Sequence, residues 1–91
     1  MRIEWSDDAV SDLSRLYDFL ASVNPAAAAK LIGSLTATPE RLAEHPRLGE
    51  RIDRYAPREV RRLIVGRYEL RYEVAGSVIN VLRLWHTRED R

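Results

Sequence analysis

The sequence predicts an α+β fold in the order β-α-α-β-β-β, with an N-terminal helical hairpin packed on a small, mostly antiparallel sheet. Three observations carry that prediction. Between residues 9 and 42 apolar side chains recur every three or four positions, the period of helices with one buried stripe. From residue 58 onward the period falls to two, in segments rich in Val, Ile, Leu, Tyr and Trp. The changeover lies at "HPRLGE" (45–50), where Pro46 and Gly49 break regular structure.

Each element has its own local cause. "RIEW" (2–5) alternates, with Ile3 and Trp5 on one side, and reads as a first strand. Ser6 follows as a helix N-cap, and Asp7 and Asp8 complement the helix dipole in the first turn. Ala9, Val10, Leu13, Leu16, Tyr17, Leu20 and Val23 then form one apolar stripe. Asn24-Pro25 ends that helix and caps the next. The second helix carries Ala28, Leu31, Ile32, Leu35 and Leu42, with a kink or break expected near Thr38 because Pro39 lacks a backbone donor. The stretch from Pro46 to Pro57 has no clear assignment.

Three strands are expected at 58–66, 67–75 and 77–86. The middle one alternates Tyr68, Leu70, Tyr72 and Val74 with Arg67, Glu69, Arg71 and Glu73, which predicts one packed and one wet face. Gly76-Ser77 fits a two-residue hairpin turn. That register pairs Val74 with Ile79, Tyr72 with Val81 and Leu70 with Arg83. It sets Arg83 and Trp85 on the packed face, and Leu82, Leu84 and His86 on the face of Glu69 and Arg71. A second face carrying those leucines is half apolar, so something is expected to cover part of it.

Ninety-one residues make one domain with a small core, and no apolar run approaches the roughly 20 residues of a membrane span. There are no cysteines, which removes disulfides and thiolate ligands, and no hydrophobic leader is seen, so the expected location is the cytoplasm. Net charge is +1 but unevenly placed: residues 1–50 carry a net of −3 and residues 51–91 a net of +4. Fourteen of the fifteen basic residues are Arg, whose planar fork suits carboxylate or phosphate.

Four pieces, in order, resemble one family. They are "W-S-x-x-A-x-x-D-L" (Trp5, Ser6, Ala9, Asp12, Leu13), "L-A-E-H-P-R-L-G" (42–49), "V-G-R-Y-E-L-R-Y-E-V" (65–74) and "L-R-L-W-H-T-R-E-D" (82–90). The chain resembles the ParE/RelE toxins of bacterial type II toxin–antitoxin pairs, and specifically the ParE branch. The resemblance implies a small toxin held inactive by a ParD-like antitoxin and directed at DNA gyrase. RelE-like members of the family instead cleave mRNA on the ribosome.

The candidate chemistry divides along the same line. A metal-free ribonuclease needs a base, an acid and cations for the phosphate; the candidates are Arg61, Arg62, Arg71, Arg83, His86 and Arg88, with Glu69 or Glu73 as possible bases, and the nuclease alternative uses Arg62, Arg83 and His86. RelE-like nucleases, however, carry an Arg where this chain has Glu69, and an Arg or Tyr where it has Thr87. A carboxylate at that point repels the phosphate, so no catalytic residue is expected. His45 and His86 lack metal-ligand spacing, and no phosphate loop or nucleophile elbow is present, so neither a metal nor a cofactor is expected. No recognition helix for sequence-specific DNA binding stands out. Contacts with target or antitoxin are expected from Arg61, Arg62, Arg71, Leu82, Leu84, His86 and Arg88.

Overall fold

A computed structural model describes residues 1–89. In it, β1 (Arg2–Trp5) leads into α1 (Asp7–Ala21) and α2 (Pro25–Glu44); then come β2 (Glu50–Arg51), a 3-10 turn at Asp53–Tyr55, β3 (Glu59–Val65), β4 (Tyr68–Ala75) and β5 (Val78–His86). The five strands form one mixed sheet in the order β1-β5-β4-β3-β2. Only β1 is parallel to its neighbour; it lies along β5 from Val78 to Val81. The predicted architecture is therefore observed, with β2 as a short added edge. Among the described residues no helix is long and apolar enough to cross a membrane.

The core lies between the helices and one face of the sheet. Ala9 and Leu16 of α1 and Leu35 and Leu42 of α2 meet Leu70, Tyr72, Ile79, Val81 and Leu84. Ser6 begins α1 as predicted: its Oγ accepts the Ala9 N–H at 3.0 Å and donates to the Leu82 carbonyl at 2.9 Å. Asn24 caps α2 through the Ala27 N–H at 3.1 Å. The expected break near Thr38 does not occur. The helix runs on to Glu44 with Pro39 inside it, and Thr38 is buried with its hydroxyl donating to the Ser34 carbonyl at 2.9 Å.

Two further expectations are corrected. The stripe of α1 is rotated: Val10, Tyr17 and Val23 are exposed, and the inward slot between Ala9 and Leu16 belongs to Asp12. The hairpin register holds from Val74–Ile79 to Tyr72–Val81, but a bulge then inserts Leu82, so that Arg71 pairs with Arg83, Leu70 with Leu84 and Tyr68 with His86. One extra residue inverts every side chain beyond it. Leu84 thus enters the core fully buried, while Trp85 joins Glu69 and Arg71 on the other face.

That other face is not wet along its middle. Glu69 is only 2% exposed, and Arg71 and Trp85 8% each. The segment from Pro46 to Pro57 explains part of this. Tyr72 pins its start, donating its hydroxyl to the Pro46 carbonyl at 2.7 Å and accepting the Gly49 N–H at 2.9 Å. At Gly49 a Cβ would fall 2.6 Å from the Arg62 carbonyl oxygen, so only glycine lets the backbone pass there. Beyond it Ile52 is buried, and the Tyr55 hydroxyl accepts from Arg71 Nη1 at 3.2 Å.

Candidate functional site

Five of the sequence-predicted site residues fall into two places, separated by the sheet. The first is a cleft of about 670 Å³ between α1 and the end of the sheet where β4 begins and β5 finishes. Its walls are Leu16, Phe19, Leu20 and Tyr68; Arg15, Arg67, His86, Arg88 and Glu89 stand around them. Phe19 is 75% exposed, an apolar ring held at the mouth. His86 packs edge-on against Tyr68, with centroids 5.2 Å apart and planes at 87°. Its Nδ1 accepts the Arg88 backbone N–H at 3.1 Å, which leaves the proton of the neutral ring on Nε2. Arg15 donates to Glu89 at 2.6 Å and ties the end of the chain to α1. The end of the "L-R-L-W-H-T-R-E-D" stretch, Asp90, lies outside the described residues.

The second place is the opposite face of the sheet. Arg62, Arg71 and Arg83 are direct cross-strand partners on β3, β4 and β5, so three guanidinium stems stand side by side. Arg71 donates from Nη2 to Glu69 at 2.7 Å and lies over the Trp85 ring at 4.6 Å. Arg83 lies over the same ring at 5.0 Å and forks onto Asp12, with Nε at 2.7 Å and Nη2 at 3.1 Å. Arg62 is held least: its nearest carboxylate is Glu50, at 4.0 Å. The Nε atoms of both Arg62 and Arg71 are buried without an acceptor.

Asp12 connects the two places, and it explains why the chain closes as it does. β1 ends opposite Val81, and past that point the edge of β5 would leave backbone groups unpaired. The Ser6 N–H reaches the Val81 carbonyl at 3.0 Å, the Ser6 hydroxyl takes Leu82, and Asp12 Oδ2 accepts the Leu84 N–H at 2.9 Å. Burial pushes the Asp12 carboxyl up, but the Arg83 fork, the Leu84 N–H and Arg15 outweigh it and hold the group below the usual carboxylate range. The Ser-Ala-Asp spacing of the N-terminal motif is thus an edge cover for β5.

The remaining expected contact residues have internal duties. Arg61 donates to the Gly49 carbonyl at 2.7 Å and to Glu59 at 2.8 Å, which fastens β2's approach to β3. Leu82 is the half-buried bulge residue, and Leu84 is fully buried, so it offers no surface to a partner. Sequence reasoning missed the cleft residues Arg15, Phe19, Arg67 and Tyr68 and the roles of Asp12 and Tyr55. For Asp12 a signal existed: an acid at i+3 from Ala9 and i−4 from Leu16 sits on the buried stripe and must have a partner there.

With this geometry in hand, comparison with known proteins is decisive about kinship. The family described as "ParE toxin of type II toxin-antitoxin system, parDE" matches residues 3–91. The chain belongs to the ParE toxin family. It is a toxin of the type II toxin–antitoxin class, in which toxins pair with antitoxins. It is also similar to two proteins of Caulobacter vibrioides. Toxin RelE2 is 30% identical over 86 residues, spanning 93% of each chain. Toxin RelE1 is 35% identical over 85 residues, spanning 91% of this chain and 89% of the relative. Among solved structures, a chain of the chromosomal ParDE system from P. aeruginosa superposes with a TM-score of 0.78 over 94% of this chain and 95% of its own length. At 24% identity that likeness establishes the shared fold.

Proposed function

We propose that this ParE-family chain is a non-catalytic cytoplasmic toxin that is neutralised by a ParD-like antitoxin and acts on DNA gyrase. The observation that carries the reading is that Arg62, Arg83 and His86, the residues of the nuclease alternative, are separated by the sheet. His86 opens into the cleft beside α1, whereas Arg62 stands on the opposite face, with a buried Glu69–Arg71 pair beside it. General acid catalysis needs its proton donor within hydrogen-bond reach of the atoms that the cations hold. Glu69 also stands where the resemblance to RelE-like nucleases implies an Arg, and a carboxylate does not grip phosphate. The family match supports the toxin class and is neutral on the target. In this reading the cleft with its exposed Phe19 and its basic rim of His86 and Arg88 receives the antitoxin's amphipathic segment.

The test is direct. Purified toxin should block gyrase supercoiling or trap cleaved DNA, and adding the antitoxin encoded beside it should restore activity. Unimpaired gyrase together with cut ribosome-bound mRNA would overturn the target. The second reading, a ribosome-dependent endoribonuclease using Arg62, Arg83 and His86, draws on the arginine-rich face and the RelE names of the Caulobacter relatives. It requires His86→Ala to abolish toxicity with antitoxin binding unchanged.

A further inference from the structure

Like charges placed directly opposite one another on neighbouring strands destabilise a sheet. Here that arrangement occurs twice in succession, Arg62 against Arg71 and Arg71 against Arg83. The row crosses three strands, so it is about 10 Å long at the usual strand spacing. Two of its three members are already balanced: Arg71 by Glu69 and Arg83 by Asp12. Arg62 is not, because Glu50 is exposed and 4.0 Å away. The row is also sterically prepared. Arg71 is wedged between the Trp85 ring at 4.6 Å and the Tyr55 ring at 5.9 Å, so its guanidinium is held in place. The side chains on either side of it, Arg62 and Arg83, are 36% and 41% exposed, so the row is open to a ligand.

From this geometry we infer that the Arg62–Arg71–Arg83 row is a carboxylate-binding site for an acidic peptide segment, with the half-exposed Arg62 guanidinium as its donor and the buried Arg71 as a fixed positive charge behind it. A carboxylate on Arg62 neutralises the uncompensated charge of the row. A bidentate guanidinium–carboxylate bond has the planar fork geometry that Arg supplies. The same face explains why the ligand is a peptide acid rather than a run of phosphates. Two residues either side of Arg71 on β4 stand Glu69 and Glu73, so charge along the strand alternates negative, positive, negative. A phosphodiester chain that leaves the row along β4 toward Glu73 meets its carboxylate, whereas single acidic side chains on an extended peptide can be spaced to avoid it. Glu73 is engaged by Arg58 through two bonds of 2.9 Å, which fixes it as a boundary of the site. The inference rests on the reading of this chain as an antitoxin-bound toxin for the source of the peptide, but not on gyrase as the target.

The probe is a capped synthetic peptide of alternating Glu and Ala, titrated into the full-length chain while the arginine Nε–Hε resonances are followed by NMR. The Arg62 signal should shift and saturate. The substitution R62Q should weaken binding about tenfold, the loss expected when one charge-assisted bidentate contact goes, and R62K should fall between. An oligothymidylate of equal charge that binds more tightly and moves the same signal would overturn the peptide assignment in favour of nucleic acid. Unchanged affinity in R62Q, with an unchanged thermal midpoint to show that it folds, would overturn the site. A chain that leaves gyrase untouched yet binds the peptide through Arg62 sinks the target reading and leaves this one standing. Gyrase inhibition without peptide binding does the reverse.

Discussion

The two faces of this sheet are buried by opposite means. Toward the helices, Leu70, Tyr72, Ile79, Val81 and Leu84 exclude water with apolar surface. On the far side, Glu69, Arg71 and Trp85 are nearly as inaccessible, yet Glu69 and Arg71 form an ion pair there at 2.7 Å. Apolar burial is stabilising in itself, at roughly 25 cal/mol per Å². A buried ion pair is different: its attraction does little more than repay the desolvation of both charges. The contrast teaches that the same degree of burial contributes unequally: on the far face the Glu69–Arg71 pair adds little net stability.

Substitutions can break that comparison, and the largest effect belongs to the helix-facing side. Leu84→Ala removes a fully buried side chain and should cost about 2–5 kcal/mol. For a domain whose whole stability is of order 5–15 kcal/mol, that is a large drop in the urea midpoint. On the far face the single and double variants should disagree. Glu69→Leu leaves Arg71 buried without its partner and should cost about 3 kcal/mol, whereas Glu69→Leu with Arg71→Met should return to within about 1 kcal/mol of the parent. Should the double variant remain as damaged as the single one, the pair is structural after all.

The smallest expected effect sharpens the comparison through pH. Asp12 is held below its ordinary value in the folded chain, so it contributes stability that is present above about pH 4 and lost as pH falls through the folded value. Glu59 and Glu73, lowered by Arg61 and Arg58 respectively, add to the same acid-side loss. Chemical denaturation between pH 5 and pH 2 should therefore show stability declining with acid, and Asp12→Asn should flatten that decline without abolishing it. An identical slope in Asp12→Asn would mean that the Arg83–Asp12 fork contributes nothing to the pH dependence.

How much of this was legible in the sequence depended on whether local rules governed the position. The helix starts at Ser6 and Asn24 and the turn at Gly76-Ser77 follow from capping and turn chemistry, and all three stand where the residues put them. The bulge at Leu82 does not. Leu82-Arg83-Leu84 alternates as well with one residue skipped as without, and only the pull of Asp12 on the Leu84 N–H, seventy-two positions away, decides it. The same long-range contact rotated α1, because a carboxylate had to face the sheet and Val10 and Tyr17 turned outward in consequence. Part of the candidate site suffered with them: the cleft exists only because His86 lies on the helix side of the bulge. Arg62 and Arg71 were both expected as contact residues, but nothing local in the sequence made them neighbours; the regular β3–β4 pairing does.

The parallel pairing of β1 with β5 carries a consequence in time. Each residue of Arg2–Trp5 is synthesised 76 positions before its partner in Val78–Val81. Until those partners are made, the first strand has no neighbour, Ser6 has no carbonyl to reach and Asp12 has no amide to cover. Closing so long a loop is slow relative to forming the helical hairpin or the β3–β4–β5 meander. The sheet can therefore close only after β5 has been made, and until then the nascent chain lacks the strand that joins its two halves.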